Sequence, residues 1–478
     1  MAIVLTNTLS GRKEALRPRE AGHVRLYWCG VTVYSRAHVG HARFLVTADV
    51  LVRYLLARGL RVTFVRNLTD IDDKMIRRAT QEKITVPELA EREIAALNDD
   101  VGRLNCLAPT HEPRATAHIP LMIALVERLV AKGLAYPTAD GSVYFRVRRF
   151  PAYGKLSHRR LDDMEAGEEI DAAKEDAHDF ALWKGAKPGE PAWPSPWGAG
   201  RPGWHLECSA MSAHYLGQPF DLHGGGSDLV FPHHENEIAQ SEAAADAPLA
   251  DLWVHNGMIT FGADKMSKSL GNVIGIAEAT RRAPGEALRL LFFRTHYRAP
   301  LDFGPGRLEE ESRSLERLYE SLARADEAAG AALAPVAPAG ALTGTLSPFL
   351  TEFVAAMDDD LNAARALGLV HDRVRELNRV LDAGDRAAAA AARADLARVA
   401  AVFGILGQEP ARFLAELRAE RSARGKLDEA EIAAAIAERN EARRRKDFPA
   451  ADAIRNRLLA QGVLLEDTPS GTVWKPAE

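Results

Sequence analysis

A chain of 478 residues is too long for one compact core, and 47% apolar with 27% charged residues is ordinary for a globular protein of two to four domains. A net charge of −5 excludes a global electrostatic pull toward nucleic acid, so an RNA partner has to be held by local basic patches. Three cysteines (Cys29, Cys106, Cys208) cannot build a disulfide framework, and no stretch reaches the roughly twenty apolar residues that span a bilayer.

The opening segment, MAIVLTNTLSGRKEALRP, lacks the long apolar core of a signal peptide, so the chain is expected in the cytoplasm with no membrane partner. His23 to Cys29 has the β-branched and aromatic content of a buried strand. After a short loop, Phe44, Ala48, Leu51 and Leu55 recur at steps of three and four, an amphipathic helix with Gly59 at its C-terminal cap. Arg61 to Val65 reads as a second strand. Strand, helix and strand so close together form a βαβ unit, which implies a parallel sheet with ligands beyond the carboxyl ends of its strands.

The stretch from about 87 to 200 reads as an insertion, with helices near 87–104 and 118–132 and a strand at 143–147; its connective part lies at about 115–200. From about 306 the periodicity is helical, with helices near 306–327, 347–382 and 386–405 and an Ala/Pro/Gly linker after the first. Two short helices and an extended tail follow from about 428.

Two segments carry chemistry. His38-Val39-Gly40-His41 opens a helix, where free N–H groups and the positive dipole end favour an anion, Gly40 leaves room, and two imidazoles can donate to phosphate oxygens. Lys265-Met266-Ser267-Lys268-Ser269 sets two ammonium groups between Gly262 and Gly271. Taken singly, these are a helix start with two surface histidines and a solvated basic loop. In this order on a βαβ chain they point to ATP used to activate a carboxylic acid.

With both motifs in place, the sequence resembles class I aminoacyl-tRNA synthetases, and within them the cysteinyl-tRNA synthetase family. LYWCGVTVYSRAHVGHAR, RNLTDIDDKMIRRA, PSPWGAGRPGWHLECSAMS, DLHGGGSDLVFPHHENEIAQSEA and KMSKSLGN carry the likeness, with Val39 at the usual isoleucine. The resemblance implies an α/β fold: a Rossmann-type parallel-sheet catalytic domain over 1–305 with an inserted α+β subdomain and a KMSKS region at about 255–305. An α-helical bundle over 306–405, touching the tRNA stem, and a small anticodon-binding domain over 406–478 are expected to follow. It also implies catalysis by His38, His41, Lys265 and Lys268, and ATP binding, with Mg²⁺, by His38, Gly40, His41, Gly224, Gly225 and Lys268. L-cysteine and tRNA(Cys) are the other expected partners, and the chain is expected to act as a monomer.

A cysteine substrate raises the question of a metal. Serine differs from it by one atom, and zinc separates them because it binds thiolate strongly and alcohol weakly. No CxxC pair is present, and two buried core thiols with a polar helix start are the competing reading. His233 and Glu237, four apart, share a face if the segment is helical. The resemblance implies one Zn²⁺ per chain on Cys29, Cys208, His233 and Glu237; His234 stays open as an alternative ligand, and Cys106 matches no ligand position and reads as core. Thr69, Trp204 and Asp228 are the expected substrate contacts. Asp70, Asp72 and Asp73 read as an acidic cluster at a helix N-terminus rather than a magnesium site. Arg439, Arg443, Arg444, Arg445, Lys446, Arg455 and Arg457 form a local basic patch, and Arg443, Asp452 and Asp467 are the expected tRNA contacts. Two rivals remain at this point: a mycothiol-pathway ligase joining cysteine to glucosaminyl-inositol, and a catalytically retired RNA-binding paralogue.

Overall fold

The computed structural model describes residues 2–164, 173–261, 264–265, 273–330, 332–424, 429–445, 447–460, 463–468 and 471–476. They fall into two compact units, Met1–Glu409 and Pro410–Glu478. Among the described residues no helix is long and apolar enough to cross a membrane.

The first unit opens with a hairpin that periodicity did not announce, β1 (Val4–Asn7) and β2 (Arg12–Ala15). The βαβ unit follows as β3 (His23–Thr32), α1 (Val39–Ala57) and β4 (Arg61–Thr69), with β3 and β4 parallel. Gly59 lies just past the helix at φ +79, a left-handed turn that favours glycine. α1 is not amphipathic as expected but buried almost all round: Arg43, Asp49 and Arg53 are as hidden as Leu45 and Leu51. The polar residues are tolerated because each is bonded, as in the Arg53 Nε to Asp49 Oδ2 pair at 2.8 Å.

α2 (Asp73–Glu82) and α3 (Val86–Arg103) come next. Asp72 caps α2 by accepting from Lys74 N, Asp73 pairs with Lys184, and Asp70 accepts from Thr116 N at 2.9 Å. All three acids therefore have structural partners. The insertion continues with α4 (Ile119–Ala131) and an antiparallel sheet of β5 (Ala135–Pro137), β6 (Val143–Phe145), β7 (Phe180–Gly185) and β8 (Gly200–Pro202).

The chain then returns to the main sheet through α5 (Trp204–Leu216), β9 (Phe220–Gly226), α6 (Glu235–Ala245) and β10 (Ala250–Asn256). That sheet runs β10-β9-β3-β4 with every neighbouring pair parallel, so all four carboxyl ends open on one edge. A smaller sheet follows, ordered β12-β11-β13, from β11 (Ile259–Phe261), β12 (Asp264–Lys265) and, after α7 (Ile276–Arg282) and α8 (Gly285–Phe293), β13 (Leu301–Asp302).

The helical part comprises α9 (Arg307–Ala329), α10 (Pro348–Asp358), α11 (Ala363–Asp382) and α12 (Arg386–Phe403). The single helix expected over 347–382 is two. Asp360 and Leu361 break it at φ +61 and φ +50. The break is held from outside: the Asp360 carboxylate accepts from Thr6 N and from the Tyr297 hydroxyl, each at 2.8 Å, and Asp360 N donates to Val4 O.

The second unit holds α13 (Pro410–Arg424), which the sequence reading omitted, then α14 (Glu429–Arg444), α15 (Phe448–Ala460) and an antiparallel hairpin of β14 (Val463–Thr468) and β15 (Gly471–Pro476). Ile432, Ala435, Ile454, Leu458, Val463 and Leu465 form its core.

Candidate metal centre and phosphate loop

The β3 ladder slips between Trp28 and Val31, which sets Cys29 at an irregularity rather than at the strand end. Cys208 stands in the second turn of α5. The turn Val230–His234 is kinked at Phe231 (φ −139, ψ 132), and α6 starts only at Glu235, so His233 precedes the helix it was expected to share with Glu237. The two side chains meet nonetheless: His233 Nε2 lies 2.9 Å from Glu237 Oε1. The Cys29 thiol donates to the same oxygen at 3.2 Å, and His233 Nε2 is 3.6 Å from Cys29 Sγ.

One donor atom from each of Cys29, Cys208, His233 and Glu237 lies within 4.8 Å of the others, all buried. A tetrahedral ion with bonds of about 2.0–2.3 Å requires ligand separations of about 3.3–3.8 Å. Small side-chain movements would bring the group to that spacing, and two sulfurs, one imidazole and one carboxylate suit zinc.

The electrostatics agree with a cation seat. Burial pushes the Cys29 thiol well above its usual range. Burial opposes ionisation of Cys208 too, but hydrogen bonds from Cys29 and His233 bring it down to about 6. His233, despite a burial effect of the opposite sign, is raised to about 10 by Glu237 and Cys208. Burial would raise Glu237, yet His223 and His233 hold it well below the carboxylate range. Depressed Cys208 and Glu237 beside a raised His233 make a buried pocket that favours positive charge among its donors, which a divalent ion would supply.

A second set of donors, Cys29, His223, His234 and Glu237, shares two members with the first. His234, left open by the sequence, places Nε2 3.2 Å from Cys29 Sγ and Nδ1 2.7 Å from His255 Nε2. His223 Nε2 reaches Glu237 Oε2 at 2.9 Å, and His205 Nδ1 reaches His233 Nδ1 at 2.9 Å. Sequence reasoning missed His205, His223 and His255 as neighbours of the cluster. The one available signal was histidine within apolar strand text, as in Phe220-Asp221-Leu222-His223.

The expected substrate residues lie in different settings. The half-exposed Trp204 ring covers His233 at 4.4 Å between centroids. Thr69 is buried, its hydroxyl donating to Glu207 Oε2 at 2.8 Å. Asp228 is exposed in the short turn after Gly226. Gly224 and Gly225 are buried and leave room for side-chain packing: a Cβ on Gly224 would lie 2.2 Å from the Trp28 ring, and one on Gly225 would lie 3.0 Å from His234 and Leu229. Cys106 is half-buried, its thiol pushed up to about 12 by burial.

At the phosphate loop one expectation is corrected. The first N–H groups of α1 are not free: Val39 N donates to Ile274 O, Gly40 N donates to His38 Nδ1, and His38 N donates to His41 Nδ1. The imidazoles cap the helix, and their rings stack at 3.8 Å. Because each Nδ1 accepts, the ring proton is assigned to Nε2. The loop therefore offers imidazole donors rather than bare backbone. Lys265 lies on β12 opposite Thr260; Lys268 lies outside the described residues.

In the second unit Arg443 and Asp452 are exposed near the end of α14 and the start of α15, and Asp467 lies on β14 opposite Thr472. The basic patch is smaller than its sequence count. Arg439 is buried against Thr472, Arg457 pairs with Glu438 and Arg444 with Glu441, and Lys446 lies outside the described residues.

The model of tRNA synthetases class I (C) catalytic domains matches residues 15–313, which span both sites, and a DALR domain model matches residues 352–407. Solved class I synthetases share the fold. A Mycobacterium tuberculosis methionyl-tRNA synthetase with methionyl-adenylate has a TM-score of 0.58 at 14% identity over 82% of this chain and 93% of that one. The LeuRS–tRNA–LeuAMS complex of Agrobacterium radiobacter K84 has a TM-score of 0.61 at 11% identity over 84% and 86%. The cysteine–tRNA ligase of Geobacter sulfurreducens is 51% identical over 99% of this chain and all of its own length. That of Chromohalobacter salexigens is 50% identical over 98% of each. The chain belongs to the cysteine–tRNA ligase family of class I synthetases.

Proposed function

We propose that the chain ligates L-cysteine to tRNA(Cys) in two ATP-dependent steps. The observation that carries this is the buried Cys29, Cys208, His233 and Glu237 cluster at the carboxyl edge of a parallel sheet. These four residues would hold Zn²⁺, which when bound supplies a soft Lewis acid that takes the substrate thiolate and leaves serine's hydroxyl. Trp204 closes one side of the amino-acid site, Asp228 pairs with the ammonium, and Thr69 lies at its wall. ATP arrives with Mg²⁺ at His38, Gly40 and His41, with Lys268 on its phosphates and the Gly224–Gly225 backbone beside the adenosine.

A carboxylate oxygen of cysteine attacks the α-phosphorus in line, the bond to the bridging oxygen breaks, and pyrophosphate leaves. Charge gathers on that leaving group, where the Nε2–H groups of His38 and His41 and the ammonium groups of Lys265 and Lys268 stabilise it. The 2′ hydroxyl at the tRNA 3′ end then attacks the carbonyl carbon, loses its proton and expels AMP. Arg443, Asp452 and Asp467 read the anticodon loop, and the enzyme works as a cytoplasmic monomer. Relatives near 50% identity over the full length do not favour the mycothiol-pathway or retired-paralogue alternatives.

The test is Cys208→Ser. The native chain should carry about one zinc and charge cysteine over serine, whereas the variant should lose zinc and most cysteine-dependent pyrophosphate exchange. A variant that keeps full zinc and rate refutes the ligand assignment.

A further inference from the structure

Arg43 stands two residues beyond His41 on α1 and is fully buried. Among the described residues no carboxylate answers its charge; five backbone carbonyls do. Nη1 donates to Gly257 O at 3.1 Å and Met258 O at 2.8 Å. Nη2 donates to His296 O at 3.3 Å, Tyr297 O at 3.2 Å and Ala299 O at 2.6 Å. Burial lowers its pKa only to about 10, so the guanidinium stays charged near neutral pH. An unpaired buried charge is costly to keep, so its partners are informative.

Those carbonyls belong to two segments. Residues 257–258 lead from β10 into β11, and residues 296–299 lead from α8 into β13. β11 and β13 pair in parallel, Thr260 opposite Asp302, and the other edge of β11 pairs with β12, Thr260 opposite Lys265. Gly257 lets the two segments close on each other, since a Cβ there would lie 2.5 Å from Ala299 O. The same end of α1 holds a third segment, through Val39 N to Ile274 O and Ile276 N to Ala37 O. One helix start thus carries His38 and His41 and fastens the small sheet on which Lys265 stands.

We propose that Arg43 is a positioning residue for adenylate formation, fixing the backbone of Lys265 relative to His38 and His41. The inference rests on the ATP roles assigned to those three residues above. It is tested on full-length, zinc-loaded enzyme with Arg43→Lys, Lys265→Ala and the double variant in cysteine-dependent pyrophosphate exchange. Lysine keeps the charge but has three donors for five carbonyls. Arg43→Lys should lower kcat roughly 10- to 100-fold, the scale of a displacement near 1 Å. KM for cysteine should stay within about twofold, because the thiol site is not touched. Adding Arg43→Lys to Lys265→Ala should cost less than about twofold more, since both act through one group.

Losses that multiply, an unchanged kcat, or a kcat loss tracked by lost zinc and a raised cysteine KM each overturn the proposal. Gly257→Ala wedges the same two segments while leaving Arg43 itself in place and should reproduce the pattern; an unchanged kcat there also overturns it, and this variant decides the matter if Arg43→Lys does not fold. Full activity of Lys265→Ala removes the ATP assignment itself, an outcome distinct from failure of the clamp alone.

Discussion

Gly224→Ala tests the packing account of the glycine run. Gly224 lies directly opposite Trp28 in the β3–β9 pair. An added Cβ would sit 2.2 Å from Trp28 Cζ3 and 2.3 Å from Cε3, where carbon atoms normally keep about 3.5–4.0 Å. The ring or the strand must therefore retreat by more than about 1 Å. Trp28 is fully buried and packs on Phe44, so the strain passes into β3, whose next residue is Cys29. Overpacking a rigid buried ring places the cost at about 3 kcal/mol, the upper part of the usual range. Urea unfolding followed by circular dichroism should show that loss, together with reduced zinc retention. Adding Trp28→Leu, which removes the ring atoms in question, should restore at least about 1 kcal/mol. A Gly224→Ala protein within about 0.5 kcal/mol of the native chain would refute the packing account.

Two further predictions follow from the histidines and from the second unit. Burial keeps His205, His234 and His255 neutral in the folded chain, His255 down to about 3, whereas an unfolded histidine titrates near 6.5. Below about pH 6.5 the unfolded state binds more protons, so metal-free stability falls as pH drops toward 5, by up to about 1.4 kcal/mol per unit for each histidine. His233, raised to about 10, acts oppositely: its contribution is complete below 6.5 and is lost as pH rises toward 10. Urea midpoints at pH 7, 6 and 5 measure the acid limb, and His255→Gln should reduce its slope by about one proton; a flat profile contradicts the burial argument. Deleting residues 410–478 should weaken tRNA charging at least about tenfold while pyrophosphate exchange stays within about twofold, as loss of binding energy remote from the chemistry predicts. Equal loss in both assays would argue against a separable RNA-reading unit.

Helices α3 and α4 lie within two residues of their predicted bounds because each keeps one apolar face over several turns. The break before α11 was not legible. Nothing local in Asp358-Asp359-Asp360-Leu361 demands a left-handed turn, and the partners that hold Asp360 sit on β1 and beside β13. Arg439 counted as surface charge for the same reason, since its burial depends on a hairpin that follows it by some thirty residues. Local sequence makes α1 look amphipathic because its polar residues carry no mark of their carbonyl and carboxylate partners.

Short-range pattern alone determined the βαβ unit, the helical region after 306 and the two motifs that name the chemistry, because periodicity and residue type act over a few residues. The four metal-ligand candidates came from the family resemblance, and only as identities. Their meeting was a tertiary matter: Cys29 and Glu237 are 208 positions apart, and neither neighbourhood encodes the other. The slip in β3, the kink before α6 and the glycine edge of β9 turn those candidates toward one point. The same folding spent the N–H groups at the start of α1 on Ile274 O and on the loop's own histidines, a set of partners that local sequence does not encode.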